Sequence, residues 1–529
     1  MEAEYGSEVA DAYEAAVRTG RDPSPILERA ERARLAQKER EELLANPPPL
    51  HGSADWAKPK DLYPFLKGRE GFDTPSSLLL GSYTDETTKL TSFVHWDDDG
   101  HLLTIAPTRS GKAQTAIIPN LLRYRGSAVV LDPKGELYKA TSAWRAKNIG
   151  KVYRWAPFDD GKSGLPRHRF NPLARIENEH EARELAEQLF PRDPRSPEFF
   201  TEDAVAFVTA LILFVKLKAP PPKRNFATVH RMATQPLGEF RAMVADNMAK
   251  MPVPTITVAA DNILGKSGER GFPNFRDTLN AKFSRWSSPE LLASLSADDF
   301  NFEMLKDETA TIYLDIPFNL MKTYAPVLKL VLKASLDAML NNPTIPKIPV
   351  LFVLDEFLQL GAFPEFRDAI RTHAGAGIRL WFFLQDVAGI EEHYPDAWKP
   401  FFNCSVRQFF GIDDPYTAEL IGKYLGVGTV AFRSTNSGSN ISAQGGGGIF
   451  GDTGNSSVNI STGESVQLMG RPLMTPDEIM ALLSGWQDKG WRWGIIYIRG
   501  PRPFRVRLSA VNQSQTCQER LGTYQPALP

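Results

Sequence analysis

"TIAPTRSGKAQTAIIP", from Thr104 to Pro119, is the stretch on which the reading of the fold turns. An apolar run ending at Ile105 meets a turn, Thr108–Arg109–Ser110–Gly111–Lys112, and a helical pattern follows from Ala113. This is close to G-x-x-x-x-G-K-[ST], in which backbone N–H groups at a helix start wrap a phosphate. Two letters differ. Ala106 stands where the first glycine belongs, and Ala113 where a hydroxyl residue would hold Mg²⁺. Ala106 is tolerated if its φ is negative, because only a left-handed backbone demands glycine. Ala113 removes an oxygen ligand, which a water or a neighbour such as Thr115 would have to replace. The expected cradle is Thr108, Arg109, Ser110, Gly111, Lys112 and Ala113, with the Lys112 amine reaching the β- and γ-phosphates.

The surroundings supply the context that such a loop requires. "HLLTIAP", "SAVVLD", "KVYRWAP", "TATIYLDIP", "PVLFVLDE", "IRLWFFLQD", "VRQFFGI" and "WGIIYIRG" are short apolar runs alternating with helical segments. Strands apolar on both faces, interleaved with helices, predict an α/β fold with a mostly parallel sheet. Ligands then collect at the carboxyl edge of the sheet. "SAVVLDPKGELY" brings Asp132 and Lys134 to that edge. "PVLFVLDEF" ends in Asp355–Glu356, the Walker-B pattern: Asp355 positions Mg²⁺ through water, and Glu356 activates the attacking water. "GIRLWFFLQD" ends in Gln385, suited to sensing a γ-phosphate. The expectation is geometric: Lys112 and the Asp355–Glu356 carboxylates converge on one triphosphate.

Elsewhere the pattern is helical or irregular. Residues 1–48 form a charged helical arm with mixed signs at i, i+4 spacing. Residues 176–300 carry helical periodicity and little strand signal. Residues 433–466 are rich in Gly, Ser and Asn and are expected to be a flexible loop, with a partner-contacting hairpin or pore loop as the alternative. "AVAFVTALILFV", Ala204–Val215, is the longest apolar run and falls short of the roughly 20 residues that span a bilayer. The start of the chain has no apolar signal-peptide core. No transmembrane segment is therefore expected in this chain.

Composition excludes several classes. The 529 residues carry a net charge of −2, so nucleic-acid contact requires a local basic patch rather than a global field. Two cysteines, Cys404 and Cys517, without CxxC or HExxH, argue against a disulfide framework or a protein-only metal site and fit a reducing compartment.

The joint set of segments resembles a known family. "HGSADWA" (51–57), "IAPTRSGKAQTAIIPNLL", "VVLDPKGELY", "FFTEDAVAFVTALILF", "FVLDEFLQLGAF", "LWFFLQDVAGIEEHY", "FFGIDDPYTAELIGKYLG" and "RPLMTPDEIMALL" look like type IV secretion coupling proteins, conjugative DNA-transfer ATPases of the FtsK/HerA-like group. The resemblance spans about residues 50–500. It implies a RecA-like P-loop domain, in parts 49–175 and 301–515, interrupted by an all-α domain at 176–300, with a tail at 516–529. It also implies ATP and Mg²⁺ as ligands, a hexameric ring, and partners in DNA, relaxase and secretion-channel components. By resemblance Lys112 is the phosphate lysine, Asp355–Glu356 the Walker-B pair, and Gln385 the polar residue ending the next strand. The family often places Gly after the loop lysine, which softens the change at Ala113. Two departures stand out. Members are normally anchored by transmembrane helices before the HGS-type segment, so a separate tethering protein, or work from the cytoplasm at the inner membrane, is expected. Some members also carry an arginine finger where this chain has Ala374, which leaves Arg371, Arg379 or Arg407 as substitutes.

Overall fold

The computed structural model describes residues 5–67, 74–190, 198–266, 271–442, 457–487 and 490–524. It divides into two compact units, Met1–Trp56 with Ala418–Ile479, and Ala57–Thr417 with Met480–Pro529. In chain order the strands are β1 (Leu66–Lys67), β2 (Leu78–Thr84), β3 (Thr91–Trp96), β4 (Leu102–Ile105), β5 (Ala128–Leu131), β6 (Lys151–Trp155) and β7 (Ala310–Leu314). There follow β8 (Val350–Leu354), β9 (Ile378–Leu384), β10 (Val406–Phe409), β11 (Val427–Ser442), β12 (Ser457–Pro472), β13 (Trp491–Ile498) and β14 (Phe504–Ser509).

The larger unit is built on a 12-stranded sheet in the order β1-β3-β2-β14-β13-β10-β4-β9-β8-β5-β7-β6. From β10 to β6 every neighbouring pair is parallel. Every residue of β4, β5, β7, β8 and β9 is buried, as a sheet covered on both faces requires. The expected α/β class is therefore observed. One strand is corrected: "WGIIYIRG", grouped above with the parallel strands, forms β13 and runs antiparallel to both β10 and β14. An all-apolar run reports covered faces and says nothing of direction. The antiparallel extension continues through β2, β3 and β1. Between β6 and β7 all described elements are helices. In the longest of them, Glu198–Lys218, the apolar stretch Ala204–Val215 lies mostly in the core. No helix among the described residues is long and apolar enough to cross a membrane.

A buried arginine ties the helix behind β4 to its neighbour. Arg145, fully buried on the helix Glu136–Asn148, donates to the Leu121, Tyr124 and Gly126 carbonyls at 2.7–2.8 Å and to Thr311 Oγ1 at 2.6 Å. These carbonyls close the helix Ile118–Arg123, whose negative dipole end favours a cation. Burial lowers the Arg145 pKa without removing its charge. Arg145→Met strands several buried acceptors and is expected to cost about 3 kcal/mol or more of unfolding free energy, measurable by urea denaturation.

The smaller unit contains the helices Ser7–Arg18 and Ser24–Ala45 and the antiparallel pair β11–β12. The flexible-loop expectation for 433–466 is corrected for 433–442 and 457–466, which continue these strands, while 443–456 lie outside the described residues. Val427, Thr429 and Val430 on one arm and Val466 and Leu468 on the other carry β propensity that the Gly/Ser/Asn bias obscures. "HGSA" runs along this hairpin: Ala54 N donates to Val427 O at 3.1 Å, and Thr429 N to Gly52 O at 3.1 Å. Gly52 has φ +136°, and a Cβ there would overlap the Val427 carbonyl oxygen, so the motif requires glycine at this position.

Candidate functional site

The parallel order β4-β9-β8-β5 places four strand ends side by side at the carboxyl edge. Leading from these ends are the 106–112 turn, Gln385, Asp355–Glu356 and Asp132. This is where an open α/β sheet receives ligands.

The turn leaves β4 with Ala106 N donating to Leu384 O at 2.9 Å. Ala106 is fully buried and is not among the residues with positive φ, so the missing glycine costs nothing here. The left-handed positions fall instead at Arg109 (φ +62°) and Gly111 (φ +83°). Thr108 and Arg109 are exposed at the crest, while Ser110 and Lys112 are buried. The chain then enters a π-helical turn at Ala113–Ile117 before the regular helix Ile118–Arg123.

Lys112 Nζ lies 3.3 Å from Glu356 Oε1, with side chains 8% and 5% exposed. Gln385 Nε2 donates to Glu356 Oε2 at 2.6 Å. Both oxygens of Glu356 are thus held, one by the loop of β4 and one by the end of β9. Glu356 itself sits at φ +53°, a strained conformation for a residue with a side chain. Such strain clusters at functional sites. Asp355 is buried, and its Oδ1 has no hydrogen-bond partner among the described residues. Burial raises the Asp355 pKa to about 6, with Lys112 and Lys134 opposing and Glu356 and Glu136 reinforcing.

Lys112, Asp355, Glu356 and Gln385 come together at one edge, the placement that convergence on one triphosphate would require. Asp132 reaches the same edge from β5, and its Oδ1 has no hydrogen-bond partner among the described residues. Its Oδ2 accepts from Tyr138 N at 2.8 Å, which caps the helix Glu136–Asn148. Burial raises its pKa to about 7. Thr115 donates to Gly111 O at 3.0 Å and lines a cavity with Leu79, Arg123 and Arg507 that includes none of these carboxylates. It is not positioned to replace the hydroxyl missing at Ala113. Of the substitute arginines, Arg379 is buried at the amino end of β9, its Nη atoms donating to the Ser76 and Asp98 carbonyls at 2.8 Å. Arg407 on β10 lies over the Tyr497 ring at 5.0 Å. Arg371 is exposed at the end of the helix Pro364–Thr372.

Sequence reasoning missed Arg492 and Trp486. Arg492 donates to the Ser110 carbonyl, and Trp486 packs on Gly111. The contact joins residues 382 apart, beyond any local pattern.

This donor set fits a triphosphate with Mg²⁺. The turn offers left-handed backbone at its crest, Lys112 offers an ammonium, and Asp355 offers an unpartnered carboxylate oxygen.

Comparison with known proteins bears on the same region. A family model described as type IV secretory system conjugative DNA transfer matches residues 72–528. The chain is 29% identical over 416 residues to Protein VirD4 of Rhizobium radiobacter, covering 73% of this chain and 56% of that protein. It is 26% identical over 473 residues to the conjugal transfer protein TraG of Escherichia coli, covering 82% and 71%. The chain thus spans a little over half the length of the VirD4 relative. Among solved structures it is similar to the plasmid coupling protein TrwB in complex with ADP and Mg²⁺, at a TM-score of 0.54 and 15% identity over 77% of this chain and 84% of that one. At that identity the likeness concerns the fold, a RecA-like P-loop domain with a mostly parallel sheet and an added all-α domain.

Proposed function

The chain belongs to the type IV secretory system conjugative DNA transfer family, that of the type IV coupling proteins, and from that membership we propose that it is an ATP-hydrolysing motor. In this reading it recruits relaxase-bound DNA, and protein effectors where the system exports them, and drives them into the secretion channel. The observation that carries the reading is the Lys112–Glu356 contact of 3.3 Å beside the unpartnered Asp355 oxygen. ADP and Mg²⁺, named for the TrwB structure, are the ligand pair we assign to this edge.

The roles follow from the geometry. Backbone N–H groups of residues 108–113 bind the phosphates, and Lys112 exchanges Glu356 for a phosphate oxygen. Glu356, released from the ammonium but still held by Gln385, accepts the proton of the attacking water. Asp355 would hold Mg²⁺, which when bound would supply neutralisation of charge on the transferred phosphoryl group. Asp132 caps its helix through Oδ2 and keeps Oδ1 for the water shell of the ligand, the binding role expected of it. We assign a ring of like subunits, hexameric in the expectation above, with the missing finger supplied between neighbours. We place the protein at the cytoplasmic face of the inner membrane.

A second reading is a substrate receptor that binds ATP and hydrolyses it poorly. Ala113, with Thr115 engaged elsewhere, favours it. Steady-state ATPase measurements with and without DNA separate the two. Turnover that rises with DNA, together with DNA affinity that falls steeply with salt, supports the motor. Tight ATP binding without turnover supports the receptor, and absence of DNA affinity at low salt removes DNA as the cargo.

A further inference from the structure

The phosphate turn is held from outside by groups that arrive from the far end of the chain. Arg492, the second residue of β13, is 1% exposed. Its Nη1 donates to the Ser110 carbonyl, and its Nη2 to the Leu483 and Ser484 carbonyls at 3.1 and 3.0 Å. The guanidinium lies over two rings, 5.0 Å from the centroid of Trp486 and 5.8 Å from that of Phe410. Trp486 also covers Gly111, where an added Cβ would overlap its ring. On the other side Gly411 lies so close that a Cβ there would come within 2.6 Å of Ser110 Cβ.

Across a trans peptide the carbonyl and the next N–H point in opposite directions. A guanidinium that holds the Ser110 carbonyl therefore fixes where the Gly111 N–H points. In the nucleotide reading above, that N–H, on a left-handed Gly111 at φ +83°, is one of the turn's donors. We propose that Arg492, seated by Trp486, is a positioning residue for nucleotide binding: it locks the Ser110–Gly111 peptide with its N–H toward the phosphates. This rests on the nucleotide reading above and adds residues that the loop motif does not contain. The role is reached through the backbone, so neither side chain needs to touch the ligand.

The clamp predicts a split between binding and chemistry. Freeing the Ser110–Gly111 peptide lets it rotate, and the anion then meets a carbonyl oxygen in part of the population. Loss of a hydrogen bond from a charged donor corresponds to roughly tenfold or more in affinity. The expected result for Arg492→Ala is a KM for ATP raised about tenfold or more, with kcat within a few-fold of wild type. Arg492→Lys, which retains a cation able to reach the Ser110 carbonyl, is expected to recover most of the loss. Trp486→Phe is expected to resemble wild type, and Trp486→Ala to resemble Arg492→Ala.

The experiment measures KM, kcat, binding of a fluorescent ATP analogue and thermal unfolding on the full chain, with Lys112→Ala as the reference. If Lys112→Ala loses ATP while folded Arg492→Ala binds like wild type, the clamp is overturned and the site stands. If wild type and Lys112→Ala bind ATP equally, the nucleotide assignment fails and takes the clamp with it. Equal losses in Arg492→Ala and Arg492→Lys, with kcat and melting temperature falling together, reduce Arg492 to a general structural role. Should Arg492→Ala not fold, the half-buried Trp486 decides: unchanged KM in Trp486→Ala overturns the proposal, and a raised KM rescued by Trp486→Phe sustains it.

Discussion

ATP turnover by Lys112→Ala is expected to fall by about 10³-fold, with fluorescent-nucleotide binding lost in parallel. Two effects add. The phosphates lose their ammonium, and Glu356 and Asp355 lose the opposing charge that makes two buried carboxylates tolerable at the same edge. Breaking a buried pair by removing one partner costs roughly 3–5 kcal/mol. That cost falls on the fold, whereas the loss in turnover comes from the missing ammonium, since removing one preorganised group that stabilises transition-state charge costs about 10²–10³-fold. Phosphate release and equilibrium binding, measured on protein whose unfolding transition remains cooperative, test this. Turnover near wild type in Lys112→Ala would place the hydrolytic site elsewhere.

Glu356→Gln is expected to uncouple the same two quantities. Glutamine keeps the shape, and its amide oxygen still accepts from Gln385, but it cannot take a proton from water. Removing a general base costs about 10²–10⁴-fold in rate. Nucleotide binding should be retained or tightened, because Lys112 no longer has a carboxylate competing with phosphate. The strained backbone at φ +53° is shared by both variants and does not confound the comparison. A single-turnover assay after equilibrium loading reads the chemical step directly. A Glu356→Gln variant that hydrolyses at the wild-type rate would remove Glu356 from the reaction.

Much of this site was readable from local pattern, because each part sits at the end of a buried strand. Lys112, Asp355, Glu356 and Gln385 follow β4, β8 and β9, and adjacency of parallel strand ends does the rest. Asp132 was readable as an edge residue but not as a helix cap, since its role depends on where the Tyr138 N–H points. The direction of β13 was not readable, because burial on both faces is the same for either direction. Strands β1 to β3 were missed: β2 and β3 mix buried positions with half-buried ones, and β1 has only two residues. The hairpin of β11 and β12 stood only as the alternative to a flexible loop, because composition describes flexibility per residue and ignores cross-strand pairing. Arg492 and Arg145 serve carbonyls far away in sequence, and no window contains both partners.

For the ATPase proposed above, the contact between Lys112 and Glu356 bears on the pace of the cycle. An empty site whose ammonium already has an internal counter-ion does not wait as bare charge, so the departing product leaves behind a neutral, closed pair. Affinity for spent nucleotide is lowered by whatever that pair is worth, which quickens exchange. A fresh triphosphate carries more charge than a diphosphate and competes better for the same amine. In the motor proposed above, the pair favours reloading over stalling with product bound.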